Sequence, residues 1–347
     1  MTGHPVDIYS LSLPELTARF ASMGEPAFRA KQLFDWLYVK RASSYDVMSS
    51  FARPLRDKLA AELPFPAIVE HTRNVAADAT AKFLFELKDG QRIEVVFIPT
   101  AKRGTLCVSS QAGCKFGCGF CASGIGGFVR NLTTGEITGS VLSAMRAVHP
   151  KKVTHIVFMG TGEPFDNYDH VLGAVRLLNA KEGINIAARR ITISTCGVIP
   201  GIERFATEGI QVELSVSLHA TNDLLRDRIM PVNRKYPLKE LLGACRRFAK
   251  ATGRQVTFEY ILIKDLTCTK DAARELVGLM KGWLSKVNLI PYNPVKEFVH
   301  RPPTMNEARE FQAMVERGGV VCTLRSLRGD DVSAACGQLR NSLKNET

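Results

Sequence analysis

Nine cysteines occur in the chain, and four of them, Cys107, Cys114, Cys118 and Cys121, fall within fifteen positions. Thiols kept only for packing scatter along a sequence, as Cys196, Cys245, Cys268 and Cys322 do here. The segment Gly113-Cys114-Lys115-Phe116-Gly117-Cys118-Gly119-Phe120-Cys121 has the spacing C-x3-C-x2-C. Three thiolates on one short loop can each take one iron of a 4Fe-4S cube, and with no fourth cysteine nearby one iron stays open to a non-protein ligand. The interleaved glycines let the backbone wrap closely round such a cluster. Zinc is the competing metal, but a structural zinc site wants four ligands, commonly from two separated pairs, and no second pair is present. A set of plain structural thiols is the third reading. Iron–sulfur ligation by Cys114, Cys118 and Cys121 accounts for the spacing best.

Such a loop needs a scaffold, and the pattern around it supplies one. From Thr105 onward short apolar runs alternate with helical periodicity. The runs are 106–109, 153–159, 190–195, 212–218, 256–263 and 286–291; helical patterns lie around 136–148, 168–179, 238–251 and 270–281. Alternation of this kind means an α/β fold with a parallel sheet and right-handed crossovers. Six strands can form an open doubly wound sheet or a partial barrel, and periodicity does not choose between them. Both place function at the C-terminal strand ends. Ahead of this, two alternating stretches, 81–87 and 92–98, flank an Asp89-Gly90 turn and read as a hairpin. The first 66 residues read as three short helices, the first capped by Ser12 and Glu15, the last ended by Pro64-Phe65-Pro66. The expected division is therefore 1–66, a helical accessory domain; 67–104, a hairpin region packing on the core; and 105–347, the catalytic core.

The cysteine triple directly after the first core strand is the signature of radical S-adenosylmethionine enzymes, and the chain resembles the RlmN/Cfr family of ribosomal RNA adenosine methyltransferases. The matching segments are Leu106-Cys107-Val108-Ser109-Ser110-Gln111, Met159-Gly160-Thr161-Gly162-Glu163-Pro164, Ser194-Thr195-Cys196-Gly197 and Ser217-Leu218-His219-Ala220. Asn288-Leu289-Ile290-Pro291-Tyr292-Asn293-Pro294, Arg328-Gly329-Asp330-Asp331 and Ala335-Cys336-Gly337-Gln338-Leu339 follow in family order. The resemblance implies a partial (β/α)6 barrel with a small helical N-terminal domain, a 4Fe-4S cluster, and two S-adenosylmethionine molecules per turnover. An adenine C2 or C8 carries no useful nucleophile, so polar methyl transfer fails there; a carbon radical can add to it, and the cofactors carry that chemistry.

The resemblance also implies residue roles. Gly162 and Glu163 would meet the cofactor's ammonium group, Ser194, Ser217, Leu218 and His219 its ribose or carboxylate, and Asn293 its adenine or ribose. Taken alone, Glu163 reads as an acid opening a helix and His219 as a satisfied loop histidine. Cys336 would carry a methyl group, whose carbon is then joined to adenine, and Cys107 would resolve the protein–RNA adduct by forming a disulfide with Cys336. Glu94 matches the family's proton acceptor. In isolation Cys107 and Cys336 pass as small buried hydrophobes and Glu94 as a surface strand acid.

Composition is consistent with this. A chain of 347 residues with 45% hydrophobic and 23% charged residues is not disordered, and its 46 Lys+Arg against 34 Asp+Glu give a net charge of +12. Residues 131–347 carry +8 of it, so the excess belongs to the catalytic part and not to a separate basic module. Arg189-Arg190, Arg226, Arg228, Arg234-Lys235, Arg246-Arg247, Arg325 and Arg328 are candidate phosphate contacts. No run approaches the about 18 apolar residues of a membrane span, and the first residues lack a secretory pattern. A cytoplasmic monomer served by an external donor such as flavodoxin or ferredoxin is expected. The leading function is C2 methylation of a 23S rRNA adenosine in the peptidyl-transferase region, extending to the adenosine 3′ of tRNA anticodons. Glu163-Pro164 and the Arg-Gly-Asp-Asp run favour it. Cfr-type C8 methylation with antibiotic resistance is the alternative, favoured by Cys118–Gly124 and the short chain. A non-catalytic iron–sulfur RNA-binding or ribosome-assembly factor is the alternative of another class; it leaves Glu94, Cys107 and Cys336 without a joint role.

Overall fold

In the strands beyond residue 104, alternate side chains are apolar and covered by helices, while the intervening ones face the other way and are more polar. Ile191 and Ile193 join the main hydrophobic core, whereas Ser194 between Ile193 and Thr195 does not. This two-faced pattern builds a sheet with helices on one side and a site on the other. The computed structural model describes residues 7–325 and 334–339.

The helices α1 (Leu13–Ser22), α2 (Ala27–Phe34) and α3 (Arg53–Glu62) come first, and Ser12 and Glu15 form the expected capping box on α1. Their apolar faces close round Phe20, Leu33, Phe34, Leu37, Tyr38 and Leu59 in a second hydrophobic cluster, which also takes in Leu142 and Leu177 from the helices that follow. Strands β1 (Ile68–Val75), β2 (Ala81–Leu87), β3 (Arg92–Pro99), β4 (Gly104–Val108), β5 (Gln111–Gly113) and β6 (Phe128–Asn131) follow. Then come α4 (Thr134–Ala147), β7 (His155–Phe158), α5 (Tyr168–Asn179), β8 (Ile191–Thr195), α6 (Ile199–Phe205), β9 (Glu213–Ser217) and α7 (Asp223–Ile229). The chain continues with α8 (Leu238–Thr252), β10 (Val256–Leu262), α9 (Lys270–Met280), β11 (Ser285–Pro291), α10 (Met305–Arg317) and β12 (Cys322–Leu324).

Among the described residues ten strands form one sheet in the order β1-β2-β3-β4-β7-β8-β9-β10-β11-β12, and β5 pairs with β6 separately. The pairs from β1 to β4 are antiparallel and those from β4 to β12 parallel. All six expected core strands are present, as is the hairpin. The seventh parallel strand, β12, escaped the sequence because three residues carry no readable period. The sheet is a partial barrel, linear in its strand order. Helices α4, α5, α6, α8, α9 and α10 cover its outer face through residues such as Ile137, Val175, Phe205, Phe248, Leu276 and Phe311. Helix α7 instead turns Ile229 into a smaller cluster with Phe120, Cys196 and Met230 at the barrel mouth. Inside, a polar row crosses the strands: Ser215 Oγ and Asn288 Nδ2 donate to Glu259 Oε1 at 2.7 and 3.0 Å, and Thr323 Oγ1 donates to Asn288 Oδ1 at 2.5 Å.

Candidate active site

The parallel strands deliver their C-terminal ends to one mouth, where two cavities of about 160 and 70 Å3 meet. Cys114, Cys118, Cys121, Glu163, Ser194, Ser217 and His219 line the larger. Cys107, Asn293 and Pro291 line the smaller, and Met159, Ile290, Arg325 and Cys336 border both. Residues separated by up to 229 positions (107 to 336) thus converge, as the motifs required.

The loop from Cys114 to Cys121 leaves β5 at Gly113, whose φ of +77° is left-handed; a Cβ there would lie 1.9 Å from Gly127 O. Only glycine fits this close approach, which Cys114 N–H seals by donating to Gly127 O at 3.0 Å. Burial pushes the Cys114 thiol up to about 11 and the Cys118 and Cys121 thiols upward as well. Among the described residues no three His, Cys, Asp or Glu side chains gather round a point that would suit a single ion. Cys114, Cys118 and Cys121 line one cavity, and three thiols suit a cube, in which each takes a different iron, where a structural zinc wants four ligands.

A further thiol faces this cavity. Cys196, expected to serve packing, lines it from the end of β8. Burial first, then the Glu163 charge, holds its thiol well above the ordinary range, and its side chain is hydrogen-bonded to Glu163. Glu163 itself is buried; Oε1 accepts from Phe165 N–H at 2.9 Å and Oε2 from Cys196 N–H at 2.6 Å. Burial raises its pKa, and these hydrogen bonds work against the rise. Neighbouring Gly162 has φ of +107°, and a Cβ there would meet Gln111 Cβ at 2.6 Å and Ser110 Oγ at 2.7 Å, so these two side chains pack directly on the Gly162 backbone beside the carboxylate.

His219 adopts φ of +58°, stacks edge-on to Phe120 at 4.7 Å, and accepts Ile261 N–H on Nδ1 at 3.1 Å. The remaining ring nitrogen of the neutral tautomer therefore carries the proton. Burial, helped by the Arg226 charge, lowers its pKa to about 3. Leu218 sends its side chain into the main core, and only its backbone belongs to the mouth, with N–H donating to Glu259 O and its carbonyl accepting Arg226 Nε.

Cys336 sits in a short segment pinned to the cysteine loop: Ala122 N–H donates to Gly337 O at 2.7 Å and Ser123 Oγ to Leu339 O at 2.8 Å. Asn293, read as a cofactor contact, lies in the smaller cavity and donates through Nδ2 to the Cys336 carbonyl at 3.0 Å. Cys107 packs against Val96, Ala334 and Leu339, and burial pushes its thiol up to about 12. Glu94 is 1% exposed, so it is no surface acid; it shares the inner face of β3 with Val96, and Lys82 Nζ lies 3.6 Å from its Oε1.

Besides Cys196, several other residues were missed or misread. Glu259 lines the larger cavity from mid-strand, and nothing in its sequence context marks it. Arg325, taken for a phosphate contact, turns inward and hydrogen-bonds the Cys336 side chain, with Glu259 and Cys107 also close enough to act on its charge. Arg226, taken likewise, is 0% exposed. Arg189 and Arg190 precede β8 and so lie at the opposite end of the strands from the mouth. Arg228, Arg234 and Lys235 are exposed in the segment after β9, on the mouth side. The Arg328–Asp331 run lies outside the described residues.

Comparison with known proteins agrees with this architecture. A family model described as the ribosomal RNA large subunit methyltransferase N-terminal domain matches residues 6–63, and one for the radical SAM superfamily matches residues 108–272. The chain is 44% identical over 334 residues to the probable dual-specificity RNA methyltransferase RlmN of Symbiobacterium thermophilum, covering 95% of this chain and 90% of that protein. It is 42% identical over 353 residues to the dual-specificity RNA methyltransferase RlmN of Alcanivorax borkumensis, covering 99% and 92%. The crystal structure of a radical SAM methyltransferase from Sphaerobacter thermophilus superposes with a TM-score of 0.95 at 45% identity, over 97% of this chain and 100% of that one. With these matches running nearly end to end, the resemblance first carried by the motifs becomes membership: this chain belongs to the RlmN family of radical S-adenosylmethionine RNA methyltransferases.

Proposed function

We propose that this protein methylates C2 of an adenosine in the peptidyl-transferase region of 23S rRNA, and the adenosine 3′ of some tRNA anticodons, with Cys336 as methyl carrier and Cys107 as resolving thiol. The carrying observation is that Cys336 borders two cavities at once: one lined by Cys114, Cys118, Cys121 and Glu163, the other by Cys107. A carrier must accept a methyl on one side and exchange with a second thiol on the other, and this wall is where both are in reach.

The donor set fits the group that the family implies. Bound at the three loop cysteines, a 4Fe-4S cluster would supply one-electron chemistry to the sulfonium of S-adenosylmethionine. The chain's own residues do the rest. Glu163 offers a carboxylate with lone pairs to spare for an ammonium group, and Ser194 and Ser217 offer hydroxyls from the ends of β8 and β9. His219 holds a neutral N–H donor in place throughout the physiological pH range. Asn293 orients the carrier segment through the Cys336 carbonyl. Glu94 is the proposed proton acceptor, its effect reaching Cys107. Two cofactor molecules per turnover follow, one for each methyl-transfer and radical event.

This reading further implies a monomer that works in the cytoplasm, receives electrons from a small carrier such as flavodoxin or ferredoxin, and is divided at about residues 66 and 104. Among the described residues no helix is long and apolar enough to cross a membrane. The decisive experiment reconstitutes the cluster anaerobically and adds reductant, S-adenosylmethionine and protein-free 23S rRNA, then identifies the modified nucleoside by mass spectrometry. 2-Methyladenosine is expected. 8-Methyladenosine would instead assign the Cfr-type reaction, and an unmodified RNA with cofactors bound would leave only a binding role.

A further inference from the structure

The helix that follows β9 carries a charge the reaction scheme does not use. Arg226 on α7 is 0% exposed. Its Nε donates to Leu218 O at 3.1 Å, Nη1 to Asn233 Oδ1 at 2.9 Å, and Nη2 to Cys196 O at 2.8 Å and Ser217 O at 3.1 Å. All four acceptors are uncharged. A buried guanidinium satisfied in its hydrogen bonds alone still carries the cost of a charge taken out of water. Opposite charge offsets that cost: Asn233 Nδ2 donates to Asp223 Oδ1 at 2.9 Å and Asp227 Oδ1 at 2.7 Å, which places two carboxylates one residue away on the solvent side and leaves the side toward the cavity to be matched.

The cysteine loop lies directly against this helix. Gly119 N–H donates to Ile229 O at 2.9 Å, so the residue after Cys118 is hydrogen-bonded to the end of α7. Phe116, Cys118, Phe120, Cys121 and Cys196 pack in one cluster with Ile229 and Met230. Arg226, held to the Cys196 carbonyl and on the helix that binds Gly119, thus stands behind the loop that supplies the three thiolates, close enough for Cys196 and Cys118 to act on its charge. Consistently, its charge acts on the Cys118 thiol in the direction opposite to burial.

We propose that Arg226 is the buried counter-charge of the iron–sulfur cluster and sets the potential at which that cluster takes up its electron. The proposal rests on the cluster reading above. In the step concerned, the oxidised cube gains one electron from an external reductant and the site becomes more negative by one charge. A fixed guanidinium within the same low-dielectric wall favours that reduced form. The carbonyls it gathers end β8 and β9, so the same side chain also ties together the two strand ends bearing Ser194 and Ser217.

The test is a mediated redox titration of the reconstituted full-length protein, followed by electron paramagnetic resonance of the reduced cluster. Arg226→Met is expected to lower the reduced-to-oxidised ratio at fixed potential at least tenfold, a negative shift of about 59 mV for a one-electron couple. Arg226→Lys keeps the charge and is expected to titrate with the wild type. A Met variant titrating with the wild type, or a Lys variant moving as far as the Met variant, overturns the proposal. Should Arg226→Met fail to fold, Asp223→Asn serves. The Asp223 carboxylate faces Arg226 through Asn233, and its Oδ1, which accepts Leu238 N–H, has an isosteric substitute in asparagine. Removing that negative charge is expected to shift the potential positively; no shift or a negative one overturns the counter-charge role. A wild-type protein that assembles no cluster, by iron and sulfide analysis, refutes the cluster reading and this role with it.

Discussion

Cys107 and Cys336 show how residue chemistry depends on surroundings. Burial pushes the Cys107 thiol up to about 12, which makes it a poor nucleophile at rest. Its neighbours are Cys336, Arg325 and Glu94, and of these only the guanidinium favours the thiolate. A resolving thiol that stays protonated until the adduct forms avoids premature disulfide formation with its partner. Cys107→Ala is therefore expected to accumulate a covalent protein–RNA adduct, visible as a shifted band in denaturing gels. Cys336→Ala is expected to yield neither adduct nor methylated base. A fully active Cys336→Ala protein would sink the methyl-carrier reading. The loop cysteines were legible from sequence because their chemistry is local, three ligands within eight positions. Glu259 and Arg325 were not, because each is a lone charge whose company is set by strand register. Arg226 was misread for a related reason: an arginine on a short polar helix looks solvated, and only its burial shows otherwise.

At the scale of elements, the junction between the N-terminal helices and the barrel offers a measurable handle. Asp7 lies against the first turn of α4, close enough that a Cβ on Gly135 would collide with its carboxylate. Ser10 Oγ donates to Asp7 Oδ2 at 3.1 Å, while Oδ1 is buried without a hydrogen-bond partner. Burial raises this pKa from 3.8 to about 6. The protonated form thus contributes stability that is complete below pH 3.8 and is lost as the pH rises through about 6. Above that, the fold bears a buried carboxylate, and Asp7→Asn is expected to stabilise the protein by up to about 3 kcal/mol at pH 8, with little effect at pH 4. Urea unfolding at the two values measures this; equal effects at both would show that charge is not the cause. The strands of this fold were legible wherever a short apolar run alternated or was bounded by turns. Helices α6 and α7, seven residues each, and strand β12, three residues, were not: elements that short have no period to detect, and tertiary packing alone fixes them. Strand β1, eight residues exposed along nearly all their length, and helix α10, thirteen residues with Ala308, Phe311 and Val315 as their buried face, also went unread.

Across the whole molecule, the net charge of +12 gains a direction once the arginines among the described residues are placed. Arg226 and Arg325 are inward groups of the site, and Arg247 is paired with Glu203 at 2.6 Å on the outer helical layer. Arg189 and Arg190 lie at the N-terminal end of β8, opposite the mouth. Of the candidate contacts among the described residues, the exposed set beside the mouth is Arg228 near the end of α7 and Arg234 and Lys235 between α7 and α8. An RNA that must present an unstacked adenine to the cavity brings its flanking phosphates to this rim. Each phosphate contact contributes through counterion release, so binding weakens as salt rises, with a slope proportional to the number of contacts. Replacing Arg228, Arg234 and Lys235 together by glutamine is therefore expected to lower RNA affinity and reduce the salt slope by about 2 to 3. The same replacement at Arg189 and Arg190 is expected to leave both nearly unchanged, although it removes two charges from the same total. Filter binding at several salt concentrations separates the cases. A loss that follows the number of charges removed, whichever end they come from, would mean that RNA feels the protein's overall field and not this rim.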